Sequence, residues 1–315
     1  MKMNSPAASG QAGSHRRINP HTIAGFGAVI LWSTTVALAR NLTQHAGPVT
    51  GACAVYGISG IIGIIFLMVN PTSRSTWTPD GNVKRLVCGA TFVIYMVALY
   101  FAVGYATDSL QAIQVGLVNY LWPAFLSIFS IFVLGSVPGV LFAPGIALSL
   151  AGIFAVIAAQ YGITPSSFVM NIAANPPAFF LGLTAAVTWA LYSTLVRRWS
   201  DHMTNAVFLF MPATALMFAT IRLTVHETSI WTIQTIIEAT VLGISTALSY
   251  YLWDSAMRKG DMGLVNAASY AIPMLSTLIS CLYLGVAPTG GLWVGALMIV
   301  CGSALSRNGI RHRQN

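Results

Sequence analysis

The chain has 315 residues, of which 56% are hydrophobic and only 7% are charged, and its formal net charge is +8. A soluble domain carries about a quarter charged residues, so this composition excludes a water-soluble globular protein. A basic excess favours nucleic-acid binding in a soluble protein. Here the Lys and Arg residues fall in loops and tails, so we predict a lipid bilayer as the partner and no nucleic acid.

Apolar runs of about 20 residues, the length of one membrane span, occur ten times along the chain. The polar residues 1–20 predict a disordered tail, and the apolar run after them is too long for a signal peptide. Turn residues separate the runs, among them Asn70-Pro71, Pro79 to Gly81 and Asn175 to Pro177. The predicted spans are 22–41, 48–69, 84–106, 112–134, 138–160, 177–197, 203–223, 231–257, 262–286 and 288–306.

The distribution of Lys and Arg predicts the orientation of these spans. With the N-terminus in the cytoplasm, every Lys and Arg falls on the cytoplasmic side except Arg40 and Arg222. A different number of spans would scramble this separation. We therefore predict that both ends of the chain are cytoplasmic, including a short tail over residues 308–315.

An internal repeat appears when the sequence is shifted by 150 positions. Pro123 then falls on Pro273, and Gly145 falls on Gly295. Further matches are Val115 with Val265, Tyr120 with Tyr270, Leu134-Gly135 with Leu284-Gly285, and Gly152 with Gly302. Five spans in each half invert the second half in the membrane. Inverted repeats are common in secondary transporters, because two similar halves can exchange conformations and expose a central site to each side in turn.

The predicted fold is an all-α membrane protein with ten transmembrane helices, arranged as an inverted 5+5 repeat around a central cavity. The Pro-to-Leu-Gly helices and the Gly-spaced helices that follow them resemble those of the drug/metabolite transporter superfamily, in its ten-helix branch of two EamA-type halves. This resemblance covers about residues 22–307. It implies halves at 21–160 and 177–307, a periplasmic linker at 161–176, and a multi-pass location in the bacterial inner (cytoplasmic) membrane.

Within the superfamily, the segment 118–123 and the aromatic-rich third span are most similar to bacterial exporters of aromatic amino acids. The resemblance also implies that spans 1, 3, 4, 6, 8 and 9 line the cavity and that spans 5 and 10 support it from the periphery. Gly145, Gly152, Gly295 and Gly302 agree with that support, since small residues allow helices to approach closely in lipid.

Aromatic and small polar side chains on the lining spans are the candidate binding residues. Trp32 with Thr35, and Trp189 with Tyr192, lie one helical turn apart and so share a face. Aromatic rings can stack on a cargo and attract its ammonium by ~0.5–2 kcal/mol, while Asn119 and hydroxyl groups can bind its carboxylate. The predicted substrate-binding residues are Trp32, Thr35, Tyr95, Tyr100, Asn119, Trp122, Trp189, Tyr192, Tyr250, Ser269 and Tyr270.

Two prolines interrupt the predicted spans at matching depth. Pro123 and Pro273 each remove a backbone donor and weaken the local helix. Beside a cavity, the freed carbonyl can be satisfied by water or cargo. We predict that both positions are hinges next to the binding site.

The few ionisable residues point to the mode of transport. None lies clearly at the middle of a span, where proton-coupled pumps usually place one. We therefore predict facilitated movement of aromatic and other neutral amino acids, without tight proton coupling. Glu238 has two interpretations: an interfacial residue that faces water, or a binding group for a substrate amine at the outer mouth.

Other functions remain open from the sequence alone. The chain could be a proton-coupled exporter of small cationic drugs or metabolites, or a membrane scaffold subunit. An intramembrane enzyme would need a constellation such as His-Glu-x-x-His or Gly-x-Ser-x-Gly, and neither occurs, so we predict no enzymatic activity. The four cysteines lie in apolar spans without a metal-binding pattern. We predict no cofactor, no metal and no obligate protein partner.

Overall fold

The structure is a computed structural model that describes residues 19–70, 78–284 and 287–311. Most of the predicted tail 1–20 and the repeat match at Gly285 lie outside these residues. The helices within them are α1 (Pro20–Ala46), α2 (Pro48–Val69), α3 (Pro79–Gly104), α4 (Ser109–Asn119), α5 (Trp122–Leu134), α6 (Phe142–Tyr161), α7 (Pro165–Ala174), α8 (Pro176–Arg198), α9 (Val207–Arg222), α10 (Ile233–Lys259), α11 (Met262–Ser269), α12 (Ile272–Leu284) and α13 (Gly290–Asn308). Two short strands, β1 (Val137–Pro138) and β2 (Ile310–Arg311), pair antiparallel.

Several helices are long and apolar enough to cross a bilayer. By length and composition the described residues contain seven such helical segments, with α4 and α5 counted together as Ser109–Leu134. The bent pair α11 and α12 would be an eighth, and α9 is a shorter apolar helix. The chain is therefore a multi-pass, helical membrane protein.

The helix starts follow ordinary capping chemistry. Thr78 caps α3 by accepting a hydrogen bond from the backbone N–H of Gly81. The sequence-based assignment of Pro79 to Gly81 as a turn between spans was wrong, because these residues form the first turn of α3. Proline is well suited to the first helical position, and Asp80 complements the positive end of the helix dipole.

Two of the predicted spans, 112–134 and 262–286, are not continuous helices. The first is broken between Asn119 and Trp122, and the second between Ser269 and Ile272, 150 positions further along the chain. The axes of α11 and α12 differ in direction by 45°. The prolines Pro123 and Pro273 each lie at the second position of the helix after the break, where a missing N–H leaves no hydrogen bond unmade.

Helices α6 and α13 pack so closely that their backbones touch. A Cβ atom added to Gly295 would lie 2.7 Å from the carbonyl oxygen of Gly152, and one added to Gly152 would lie 2.8 Å from that of Gly295. Gly145 and Gly302 make a similar contact, and we call these four residues the glycine seam. At one end of the seam Pro138 pairs with Ile310, so part of the predicted tail 308–315 is held in the β1–β2 ladder.

Gly152→Ala is expected to destabilise the protein by about 1–3 kcal/mol, the usual cost of forcing extra atoms into a packed contact. Gly57→Ala in α2 is the matched control, since its added methyl group would meet no atom within 4 Å. That substitution should be neutral or stabilising by roughly 0.5–1 kcal/mol through helix propensity. Thermal unfolding of both purified variants measures the difference, and equal melting temperatures would contradict the close packing.

Candidate functional site

A cavity of about 250 Å³ lies between α1, α2, α3, α8 and α10, with side chains of the α4–α5 break and of Ile272 completing its wall. Its lining reaches toward the end of the bundle where α1 and α3 finish and where α2 and α10 begin. Apart from Tyr100, the lining residues toward that end are small or aliphatic: Ala39, Leu42, Thr43, Gly51, Val55, Leu99 and Leu242. We call this space the central cavity.

Four tryptophans close the central cavity at its deep end. Trp32, Trp122 and Trp189 line it, while Trp253 is fully buried and packs against all three. The ring centroid of Trp253 lies 5.1 Å from that of Trp32 and 5.3 Å from that of Trp122. The Trp253 indole N–H donates to Ser193 Oγ at 3.0 Å, so its polar atom is satisfied. We call these four residues the tryptophan cluster.

Tyrosines and small polar groups form the side walls. The ring of Tyr95 lies 4.8 Å from that of Trp189, and Tyr250 lies 5.6 Å from the same ring. The Tyr56 hydroxyl donates to the Met96 sulfur at 2.6 Å. These contacts give the cavity a rigid aromatic wall with hydroxyl groups at its edge.

The side-chain amide of Asn119 lines the cavity and can both donate and accept hydrogen bonds. Asn119 is the last residue of α4, so the break between α4 and α5 places its side chain in the cavity wall. Its Oδ1 atom is buried and has no hydrogen-bond partner of good geometry among the described residues, and the Tyr95 hydroxyl lies near it. An unpartnered acceptor in a cavity can receive a hydrogen bond from a cargo ammonium.

The central cavity is neutral over the residues that the structure describes. None of its described lining residues is Asp, Glu, Lys or Arg. Recognition there can use ring stacking, cation–π attraction and neutral hydrogen bonds. Such contacts hold an amphipathic molecule without the strong ion pairs that would slow its release.

The structure brings seven of the eleven predicted binding residues to this cavity: Trp32, Tyr95, Tyr100, Asn119, Trp122, Trp189 and Tyr250. Tyr192 lies behind the wall, packed against Phe92 and Trp189 at centroid distances of 5.2 Å. Ser269 is fully buried and donates to the Asn266 carbonyl, while Tyr270 lines a different pocket. The side chain of Thr35 lies outside the described residues.

Several lining residues were missed from the sequence. Tyr56 and Tyr120 are two of them, and Trp253 completes the floor from behind. On α10 the missed residues Ser245, Thr246 and Ser249 lie at helical spacing beside Tyr250. Their spacing of three and four positions defines one face of a helix, and this pattern could have found them.

Glu238 does not face water, so that interpretation of its role was wrong. Its side chain is only 6% exposed. The Asn41 amide donates to its two carboxylate oxygens at 2.6 and 2.8 Å, and Gln234 donates to one of them at 3.0 Å. The group lies one helical turn before Leu242, a lining residue of the central cavity.

The opposite half of the bundle is closed by buried charge. The Arg258 Nε atom donates to Asp254 Oδ2 at 2.7 Å, and both side chains are at least nine-tenths buried. Arg197 donates to the backbone carbonyls of Met257, Arg258 and Gly260. Arg258 is therefore part of an internal ion pair.

Comparison with known proteins identifies the family. The model of the EamA-like transporter family matches residues 20–158 and 176–307. The aromatic amino acid exporter YddG of Salmonella typhimurium (strain 14028s / SGSC 2262) is 31% identical over 93% of this chain and 98% of its own length. The protein of that name from Ancylobacter novellus is 30% identical over 90% and 96% of the two chains. A crystal structure of a protein with 29% identity superposes with a TM-score of 0.75 over 91% of this chain and 96% of that one. The chain therefore belongs to the EamA-like transporter family, within the drug/metabolite transporter superfamily.

Proposed function

We propose that this protein carries aromatic and other neutral amino acids across the bacterial inner membrane by alternating access through the central cavity. The observation that carries the proposal is a neutral cavity walled by aromatic rings, with the unpartnered acceptor of Asn119 inside it. Two relatives named as aromatic amino acid exporters support the choice of cargo. A volume of about 250 Å³ suits one small molecule, since pockets for drug-sized ligands hold roughly 300–1,000 Å³.

The proposed topology has ten spans in two inverted halves. Beside the segments that meet the length and composition test, α1 has 27 residues and α9 has 16. At 1.5 Å per residue, α1 is about 40 Å long and can cross a 30 Å hydrocarbon core. The matching helix breaks after Asn119 and Ser269 support the repeat. The distribution of Lys and Arg supports a cytoplasmic location for both ends of the chain.

With this orientation the described conformation is open to the periplasm. The central cavity opens where α1 ends, while the Asp254–Arg258 pair and the Arg197 contacts close the cytoplasmic half. Cargo release to the outside would occur from this state. Loading from the cytoplasm would require these contacts to separate.

A liposome experiment tests the proposed function. Purified protein in liposomes should move radiolabelled phenylalanine down its gradient, and unlabelled tryptophan or leucine should compete. A cationic aromatic compound belongs in the same panel, because cation–π contacts would also hold it. Flux of the cationic compound without flux of any amino acid would overturn the cargo assignment, and no flux of either would favour the scaffold.

A proton-coupled exporter is the second candidate, and the burial of Glu238 favours it. Its carboxylate is held by two amides one helical turn from a lining residue of the central cavity, and proton-coupled transporters place ionisable groups within the bundle. The uncoupled proposal instead needs no titrating group in the transport cycle.

Glu238→Gln decides between these candidates. For the uncoupled protein we expect flux to depend on pH in the same way before and after the substitution, with a rate changed less than about threefold, because no proton passes through Glu238 in that cycle. The measurement is phenylalanine flux with and without an imposed pH gradient. Asp201→Asn, at an exposed position of the short 3₁₀ helix Ser200–His202 between α8 and α9, is the control. A gradient dependence that wild type shows and Glu238→Gln loses would establish coupling.

A further inference from the structure

A second cavity of about 400 Å³ lies between α5, α11 and α13, at the closed end of the bundle. Its wall is more polar than that of the central cavity and includes charged residues. The polar side chains inside it are Ser127, Ser130, Asn266, Ser303 and Ser306. We call it the inner polar pocket. Ser127, Ser130 and Ser303 donate to backbone carbonyls of their own helices, so their hydroxyl oxygens can still accept hydrogen bonds from water or a ligand.

The mouth of the pocket holds one positive and one negative group. Arg307 Nη2 lies 3.0 Å from Asp261 Oδ2, and both side chains are a little under half exposed. Asp261 also caps α11 through its Oδ1 atom, which accepts from the backbone N–H of Leu264 at 2.9 Å. A guanidinium has five N–H donors and a carboxylate accepts about four hydrogen bonds, so each group can bind a further partner. The pair can therefore take an ammonium and an oxyanion that are close together in one molecule.

The side-chain amide of Asn266 lies deeper in the pocket, and its oxygen atom can accept a hydrogen bond from a ligand. Asn266 donates from Nδ2 to the Pro123 carbonyl and to Ser127 Oγ, both at 2.9 Å. These bonds fix α11 against the first turn of α5 and hold the side chain in place. Asn266 Oδ1 is buried and has no hydrogen-bond partner within the described ranges of the chain. Leaving an acceptor unmatched costs about 1–3 kcal/mol, so this atom is suited to a ligand donor.

A related pocket in the other half shows that the fold does not require these polar groups. That pocket has a volume of about 340 Å³, and six of its lining positions correspond to lining positions of the inner polar pocket at the 150-residue shift. The pairs are Ala112 with Met262, Ile113 with Gly263, Gly116 with Asn266, Tyr120 with Tyr270, Ile157 with Arg307, and Thr277 with Ser127. The equivalent of Asp261 is Gln111. The two charges and the amide are thus particular to one side of the molecule.

We propose that the inner polar pocket is a second cargo site, which binds a free amino acid as its zwitterion before the amino acid enters the central cavity. The cargo carboxylate binds Arg307, its ammonium binds Asp261, and its side chain points toward Tyr270. The inference rests on the proposed function and extends it. The two sites are separated by the turn that carries Trp122 and Pro123, since Trp122 lines the central cavity and the Pro123 carbonyl binds Asn266.

Equilibrium binding of radiolabelled phenylalanine to purified protein in nanodiscs tests the proposal. The wild-type protein should bind about two phenylalanine molecules per chain, because the two sites are open on different sides in this conformation. Asp261→Gln combined with Arg307→Ile installs the residues of the other half and should weaken one of the two sites at least tenfold. Tyr161→Phe, in the related pocket, is the control that should retain both sites.

The results separate the pocket from the proposed function. A single site that the double substitution leaves unchanged, in protein that still transports, would overturn the inner site alone. Absence of both binding and flux would overturn the proposed function and the site with it. A phosphatidylethanolamine headgroup offers the same pair of charges, so nanodiscs are prepared with and without this lipid. Loss of the second phenylalanine whenever the lipid is present would assign the pocket to lipid and overturn the cargo site.

A labelling experiment covers the case in which the double variant does not fold. Ser306→Cys, in a background with the four native cysteines replaced by serine, places a thiol in the pocket wall. A membrane-impermeant maleimide should modify it from the cytoplasmic side, and phenylalanine should slow that reaction at least fivefold. Reaction at an unchanged rate in saturating phenylalanine would overturn the proposal.

Discussion

Trp189→Ala is expected to reduce phenylalanine flux in liposomes by at least tenfold. The Trp189 ring touches Trp32, Trp122 and Trp253 and forms part of the cavity wall, so its removal destroys the stacking surface and the floor together. Stacking and cation–π contacts with an aromatic ring contribute about 0.5–2 kcal/mol to binding, and 1.4 kcal/mol of binding energy corresponds to a factor of ten. The measurement is initial flux per folded protein.

Two further variants keep this prediction testable if the alanine variant is too unstable. Trp189→Phe retains a ring and should retain more flux than Trp189→Ala, with a raised KM. Trp293→Ala removes a tryptophan from α13 whose side chain is 58% exposed on the outside of the bundle. It should transport as wild type does. Equal losses in Trp189→Ala and Trp293→Ala would show that the cavity assignment is wrong.

Arg258→Gln is expected to destabilise the protein by roughly 3–5 kcal/mol, because it leaves the carboxylate of Asp254 buried without its counter-ion. Asp254 Oδ1 lacks a hydrogen-bond partner among the described residues, and the substitution also removes the bond that Oδ2 accepts from Arg258 Nε. The double variant Asp254→Asn with Arg258→Gln removes both charges and should recover most of the loss. Thermal or denaturant unfolding of the purified variants measures both effects.

An exposed ion pair provides the comparison. Arg307→Gln breaks the contact with Asp261, which water screens, and should change the free energy of unfolding by less than about 1 kcal/mol. If the double variant at Asp254 and Arg258 were as unstable as the single one, the cost would come from lost packing rather than from an unpaired charge.

Most of the architecture could be predicted because the physics behind it is local. Runs of apolar residues define spans, and small residues at Gly152 and Gly295 predict close helix packing before any coordinates are known. The helix breaks at Tyr120 and Tyr270 could not be located in the same way. Tyr120 follows Asn119 and Tyr270 follows Ser269, with neither glycine nor proline at the break itself. The nearby prolines were interpreted as interior kinks, although they begin new helices. The capping box of Thr164 and Ser167, which starts α7 inside the linker, was also overlooked.

Some residues of the candidate site could likewise be predicted from the sequence, and others could not. Trp32 and Trp189 were found because a tryptophan in mid-span is too deep for an interfacial anchor. Tyr192 shares a face of α8 with Trp189 but lies one turn further toward the closed half. Helical spacing shows which face a residue lies on, but not whether the cavity extends to its level along the helix. Trp253 and Tyr56 needed three-dimensional packing to be recognised, since their neighbours come from distant parts of the chain.

The glycine seam limits how the protein can move. Backbone contact along α6 and α13, reinforced by the β1–β2 ladder, ties the last helix of one half to the last helix of the other over most of their length. Close-packed backbones do not slide or part without losing many contacts at once. If cargo crosses by alternating access, α6 and α13 keep their positions relative to each other throughout the cycle. The conformational change then takes place in the remaining helices. The helix breaks at Tyr120 and Tyr270 are the positions where these helices bend at the lowest cost in free energy.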